Sequence, residues 1–587
     1  MKDAMIPFSG RTARLAIAVC VLLIVGLAPS SWAQSGTNPL NLFKNYFVTG
    51  DYVVAGWSEG APDGSGYAPG TISIPDTVQL KNTGGARVGV PSTVPVGANI
   101  IAAYLYWATV EGNQNSFAGQ SAFFNGYAVS GTVLGNPNAP TSWSSGGCSG
   151  SAQGSKTMRT YRADVRPFLP IDTNPLSPTF GATIANTTIP VRLADSGSNG
   201  NTTPQALGAT LVVIYSVLSP VTPLNAIVLY DGVYAPSNAG LTISQSIAGF
   251  YEPSTSPVAK LTHIVANGQA NKGELVYLNN SGQPLPSIYG SLPPFPGIYG
   301  TWDNPTWLLS QYGYVKTTDT LETTSVAPSS TNSGCVSWGA IVMSTTVQDT
   351  DGDGLLDVWE NNQGYTDAVS NQWVALPGAN ANTKDLFIEA DWLSNLDGSA
   401  GPYKHSHLPQ QATIDYVGQA FANQGVNVHF DLGPGIYAGD PYVIPNGTGG
   451  NAISEGTLLC ADGAGSLCAY PGQPAVGWKG GFELVQNSAA PFGNFQPGRQ
   501  QSYHYMLFGH SLGSPVSYWG TLGAAVAVPT LPQLVSIVNS GSTATVTIQS
   551  PSGTIKPGDC PNAAYPDCAD ANNTRITISG ALGQTAL

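Results

Sequence analysis

IIAAYLYW, residues 100–107, decides the fold class. Eight apolar residues rich in Ile and Tyr, bounded by turn-forming residues, read as a buried strand rather than a helix. Four more runs of the same kind follow this reading: YVVAGW (52–57), ATLVVIY (209–215), AIVLY (226–230) and VSWGAIVM (336–343). Gly, Pro, Asn and Ser stand between them as turns. Residues 45–345 are therefore expected to form one large β domain, a β-sandwich or jelly roll with long loops. Its many Tyr and Trp residues are expected to fill the core and rim of large sheets, with a sugar-binding face as the alternative.

Composition supports strands over long solvated helices. The chain has 70 Gly and 45 Pro in 587 residues, and only 9% of its residues are charged. The formal net charge of −14 argues against nucleic acid or an anionic membrane surface as partner, because both need basic patches, and it is compatible with bound cations. Residues 1–33 read as a signal peptide. Lys2, Arg11 and Arg14 precede the apolar run Leu15–Leu27, and Ser31-Trp32-Ala33 offers a cleavage site. No later segment resembles a membrane span. A secreted or cell-surface protein is expected, with an extracellular protein or polysaccharide as its undefined partner.

Cys20 leaves with the signal, and six cysteines remain for an oxidising compartment. Their spacing favours local bridges Cys460–Cys468 and Cys560–Cys568, leaving Cys148 to pair with Cys335, although six cysteines allow fifteen pairings.

The texture changes after residue 345. Lys384–Trp392 reads as a strand with Leu386, Ile388, Ala390 and Trp392 on one face. A helix follows between Pro409 and Gly425, with Ile414, Val417, Gly418 and Phe421 as its buried stripe. Val426–Leu432 is the next strand, making a βαβ unit within residues 380–525. Residues 526–587 return to alternation at Thr545–Ile548 and Arg575–Ile578 and read as a partial, Ig-like β domain.

Between these regions, within a linker spanning residues 346–362, lies DTDGDGLLDVWE (349–360), which matches the twelve-residue calcium loop at each diagnostic position. Asp349, Asp351 and Asp353 occupy positions 1, 3 and 5, and Gly354 permits the left-handed turn at position 6. Leu355 offers its carbonyl at position 7, Asp357 ligates directly or through water at position 9, and Glu360 supplies two oxygens at position 12. Because Ile341–Thr346 is strand-like, a paired helix–loop–helix sensor is not expected. The loop resembles the single calcium loops of thrombospondin type-3-like and dockerin-like repeats, and a structural role is expected for it.

Catalytic constellations are incomplete. GHSLG (509–513) matches the nucleophile elbow of serine esterases, but His510 is the last histidine, so the triad cannot be completed in the order of that fold. No HExxH occurs, and His405 and His407 are only two apart in a loop, so zinc peptidase chemistry is not supported. Glu389 and Asp391 share one strand face, as do His429 and Asp431. If the strands are neighbours, three carboxylates and an imidazole converge as a second metal site or an acid/base pair; the alternative is a set of hydrogen-bonded polar groups beneath long loops.

KDLFIEADWL (384–393), HSHLPQQATIDYVGQAFANQGVNVHFDLG (405–433) and YHYMLFGHSLG (503–513) resemble a segment of secreted bacterial zincin-like, matrixin-related metallopeptidase homologues. GDYVVAG (50–56) and AAYLYWATVEG (102–112) resemble an uncharacterised β domain of exported bacterial proteins. The peptidase resemblance implies a zincin-like region whose HExxH helix would follow, and none of that family's zinc ligands or its glutamate has a match here. The sequence thus supports a mainly β, secreted, calcium-binding protein without a catalytic set. The alternative is the N-terminal part, or a truncated relative, of a zinc endopeptidase whose active site lies beyond residue 587.

Overall fold

The computed structural model describes residues 37–76, 93–112, 117–135, 141–142, 156–174, 176–177, 181–197, 202–219, 221–236, 241–279, 281–309, 313–329, 334–394, 396, 404–454, 495–509, 533–540, 543–549 and 573–579. The chain divides into two compact units, Met1–Val358 with Asp367–Asn371, and Trp359–Thr366 with Gln372–Leu587. The fold is mainly β. Among the described residues, no helix is long and apolar enough to cross a membrane.

Nearly all strands of the first unit fall into three layers. One is a sheet of β1 (Asn41–Val48), β12 (Asn225–Tyr234), β19 (Ser337–Thr346) and β14 (Ala259–Ala266), with β16 (Trp302–Asp303) and β17 (Thr306–Leu308) along β14. The middle layer is β2 (Gly50–Glu59), β11 (Gln205–Ser216), β4 (Asn99–Gly112) and β9 (Lys156–Asp164), edged by β7 (Thr132–Val133) and β8 (Thr141–Ser142). The third is β3 (Tyr67–Ser73), β10 (Thr188–Ala194), β5 (Ser121–Phe124) and β6 (Tyr127–Ser130). A small separate sheet orders β13 (Ile243–Ile247), β18 (Glu322–Pro328) and β15 (Glu274–Leu278). All these pairings are antiparallel.

The second and third layers are one hydrogen-bonded sheet that folds back on itself at β2. Residues 50–56 of β2 pair with β11, while Trp57, Ser58 and Glu59 pair with β3. This arrangement explains the continuous apolar runs. On β4, Ala103, Leu105 and Trp107 face the third layer, whereas Ala102, Tyr104 and Tyr106 face β12, β14 and β19. A strand covered on both faces has no solvent side to spend on polar residues. Each fully buried large apolar side chain contributes about 1.5–3 kcal/mol, and Trp107 also donates its Nε1–H to Gly119 O at 2.8 Å. The single sandwich expected over residues 45–345 is thus a three-layered one whose first strand starts at Asn41.

The division falls within a one-turn helix α1 (Asp357–Asn361), and in the second unit the hairpin β20 (Gly364–Thr366) and β21 (Trp373–Ala375) follows. Then comes the expected βαβ unit: β22 (Lys384–Ser394), α2 (Gln411–Ala422) and β23 (Val426–Asp431). Two more parallel strands, β24 (Ala452–Ser454) and β25 (Tyr503–Phe508), complete the sheet. Glu389 lies opposite Asp431 of β23 on one side and Tyr505 of β25 on the other, so β22 is central.

The even-numbered face of β22 packs Ile388 and Ala390 on Ile414 of α2. Gly418 lets Tyr442 lie on the bare helix backbone, where a Cβ would come within 2.2 Å of its ring. Phe421, expected in the buried stripe, is instead 38% exposed at the helix's last turn. A separate antiparallel meander, β26 (Gln533–Ser540), β27 (Thr543–Gln549) and β28 (Asn573–Ser579), contains the two alternating segments read from residues 526–587. The signal segment, Cys148, Cys460, Cys468, Cys560, Cys568 and Ser511 lie outside the described residues; Cys335 is buried.

Candidate metal centre

The acidic loop begins where β19 ends. Val347 donates its N–H to Leu224 O at 3.0 Å, fixing the exit of the chain. Gly352 (φ +74°) and Gly354 (φ +97°) then take the left-handed conformation that bends the backbone around the carboxylates. Asp349 shapes the turn by accepting the N–H groups of Gly352 (2.8 Å), Asp353 (3.3 Å) and Gly354 (3.1 Å). Asp353 accepts the N–H of Leu355 at 2.7 Å. Carboxylate oxygens of Asp349, Asp351 and Asp353 lie within 4.8 Å of one another.

The other motif positions have distinct surroundings. Leu355, whose carbonyl was expected to ligate, buries its side chain together with Leu356. Asp357 does not join the carboxylate cluster: its two oxygens accept the N–H (2.7 Å) and Oγ–H (2.6 Å) of Thr350, clasping the loop near its start. In the second unit, Glu360 is buried, and its carboxylate lies within 4.8 Å of that of Asp385. Asp385 accepts the N–H of Asn380 at 2.8 Å. The sequence reading passed over Asp385, although it is the first carboxylate of KDLFIEAD and lies on the same strand face as Glu389.

The polar face of the parallel sheet was expected to bring Glu389, Asp391, His429 and Asp431 together. Three of the four do gather, with a cation that the sequence reading missed. Arg499 Nη1 donates to Glu389 Oε2 at 2.6 Å and to Asp431 Oδ2 at 2.7 Å, with all three side chains buried. Asp431 also accepts the N–H groups of Gly433 (3.0 Å), Thr448 (3.2 Å) and Gly449 (2.9 Å). Asp391 accepts the N–H of Asn451 (2.7 Å) and the hydroxyl of Tyr505 (2.8 Å). His429 stands apart, with Nε2 2.6 Å from Asp385 Oδ1 and its ring stacked on Phe387.

These contacts fix what the face can do. Asp391 and Asp431 accept N–H groups from residues 448–451 and hold that loop against the sheet. Burial pushes the Glu389 carboxyl up to about 7, with Arg499 opposing the rise. Glu389, Asp391 and Asp431 are not close enough together to share one ion. The contacts that these groups make are hydrogen bonds and ion pairs within the sheet and with the loop beside it.

No family model matches the chain, and no curated protein matches it. Among solved structures, the ectodomain of ANX1 from Arabidopsis thaliana is 8% identical, with a TM-score of 0.14 over 52% of this chain and 90% of that one. The insecticidal delta-endotoxin Cry8Ea1 from Bacillus thuringiensis is 10% identical, with a TM-score of 0.11 over 53% of this chain and 54% of that one. Neither likeness reaches the level at which a shared fold follows.

Proposed function

We propose that this is a secreted, calcium-binding multidomain protein that acts through binding rather than catalysis, with calcium held by the motif Asp349–Glu360. The observation that carries the reading is the packing of the Asp349, Asp351 and Asp353 carboxylates within 4.8 Å of one another around two left-handed glycines. Three carboxylates that close repel one another, and a bound cation relieves the repulsion. The donor set fits: carboxylate and carbonyl oxygens suit calcium, whereas zinc or copper favours nitrogen and sulfur. Asp349, Asp351, Asp353, the Leu355 carbonyl and Glu360 would hold the ion, with Asp357 acting through water or as the clasp on Thr350. Bound calcium supplies no reaction here; it orders the segment that follows β19. Secretion is read from the basic start and apolar run of residues 1–33.

Thermal unfolding with calcium and with chelator tests the reading. A ligand that binds only the folded state raises its melting temperature by mass action. Asp353→Ala combined with Glu360→Ala should abolish the calcium-induced rise. Identical wild-type curves in calcium and in chelator would remove the calcium assignment.

A further inference from the structure

Beside the end of the central strand of the parallel sheet, residues 405–407 carry two histidines on one side. His407 donates its N–H to Leu393 O at 2.9 Å, and Ser406 bridges Ser394, so residues 405–407 run extended beside the C-terminal end of β22. In extended backbone, residues two apart point to the same side. The imidazoles of His405 and His407 accordingly meet, with ring centroids 5.1 Å apart and planes at 79°. Both side chains are half-buried.

That separation has a chemical reading. A zinc–nitrogen bond is about 2.0–2.1 Å, and the ring centre lies roughly 1.1 Å further on, so two imidazoles on one tetrahedral ion have centres about 5 Å apart. The position in the fold agrees. β22 has parallel neighbours on both sides, and in such sheets ligands gather at the carboxyl ends of the strands where the connections diverge. We propose that His405 and His407 form a site for a divalent transition metal, with zinc as the representative ion. Among the described residues these two nitrogens are the donors proposed, and oxygen donors such as water or a group of a bound molecule would complete the coordination. The site is separate from the acidic loop in chemistry as well as in sequence, since imidazole nitrogen selects zinc, nickel or copper over calcium.

Two measurements on the full chain in saturating calcium test this. Titration calorimetry with zinc should give one site per chain. His405→Ala with His407→Ala should weaken it by at least the roughly 10- to 100-fold that loss of even an outer-shell partner costs a metal site, while His504→Ala leaves it unchanged. Copper(II) added to the wild type should show electron paramagnetic resonance coupling to two nitrogens, a readout that needs no variant to fold. Zinc binding that survives the double substitution, absence of stoichiometric binding, or a copper spectrum without two coupled nitrogens would each overturn the proposal.

Discussion

Arg499 and Glu389 form a buried ion pair across 110 residues of sequence, with Nη1 2.6 Å from Oε2 and both side chains out of solvent. The same nitrogen reaches Asp431, so one guanidinium joins two adjacent strands of the parallel sheet from the segment that leads into the third. Burying charges is costly unless each is paired, and the pairing here ties β22, β23 and the approach to β25 into one folding unit.

Removing the cation should therefore cost more than forming the pair contributes. Arg499→Met leaves Glu389 buried beside Asp431 without the cation they share, Asp431 keeping its backbone N–H donors, and such a change costs about 3–5 kcal/mol. Denaturant unfolding should report a loss of that size. Adding Glu389→Gln to Arg499→Met should recover part of it, because one buried charge is then gone. Equal losses in the single and double variants would mean that the guanidinium acts through packing alone.

The loop above these charges is as constrained as the charges are. A Cβ on Gly449 would lie 2.2 Å from Arg499 Nη1 and 2.4 Å from Glu389 Oε2, and one on Gly447 would lie 2.1 Å from Asp431 Oδ1. Gly449→Ala should thus displace the ion pair and destabilise the second unit in the manner of Arg499→Met. A comparison with Gly112→Ala, whose Cβ would meet only the Thr203 hydroxyl at 3.5 Å, separates this clash from the general effect of losing a glycine. Comparable stabilities for the two alanine variants would contradict the close approach.

Some of this arrangement was legible in the sequence and some was not, for physical reasons. Periodicity gave Leu386, Ile388 and Ala390 one face of β22 and Glu389 and Asp391 the other, because side chains alternate along a strand whatever its neighbours are. Parallel pairing followed from the intervening helix. Arg499 was missed because its segment, QPGRQQ, carries no periodic signal, and only the folded chain brings it to the carboxylates. Three acids on an inward face were themselves a hint that a cation must come from elsewhere. The fold-back of the large sheet at β2 was also hidden, since YVVAGW reads as one strand although residues 52–56 pair with β11 and Trp57 at its end pairs with β3. Phe421 shows the reverse failure, where a helical period implied burial that the neighbours do not provide.

The first unit should show a pH dependence that one conservative substitution can isolate. Burial pushes Glu274 up to about 7; Gly334 N–H on Oε1 and nearby Lys272 oppose the rise, and Oε2 has no hydrogen-bond partner among the described residues. An acid whose native pKa is raised contributes stability fully below its unfolded value and loses it as pH climbs to the native one. The window is thus from about 4.3, the unfolded value, to about 7. His263, lowered to about 3 by burial, acts in the opposite sense below its unfolded value, so the whole-protein profile mixes the two. Glu274→Gln keeps the acceptor for Gly334 and cannot ionise. Its stability relative to wild type should rise by about 3 kcal/mol between about pH 4 and pH 8, at roughly 1.4 kcal/mol per pKa unit. A difference that stays flat with pH would show that Glu274 ionises in the native state as easily as in the unfolded chain.

Within the acidic loop, Gly354 separates backbone geometry from charge. Its φ of +97° lies in the left-handed region, and a Cβ there would meet no atom within 4 Å. Any penalty for Gly354→Ala is consequently conformational, about 1–2 kcal/mol for an L-residue forced into this region. No carboxylate is lost, so an effect on calcium must come through the turn that brings Asp349 and Asp353 together. The expected outcome is a lower melting temperature and a weaker calcium-induced rise for Gly354→Ala, with Gly354→Asn intermediate because Asn tolerates left-handed backbone better. If Gly354→Ala melts lower but keeps the full calcium increment, the turn is needed for folding and not for holding the ion. If both quantities fall together, the left-handed glycine and the three carboxylates act as one device, with the backbone preparing the oxygen cluster that the cation then stabilises.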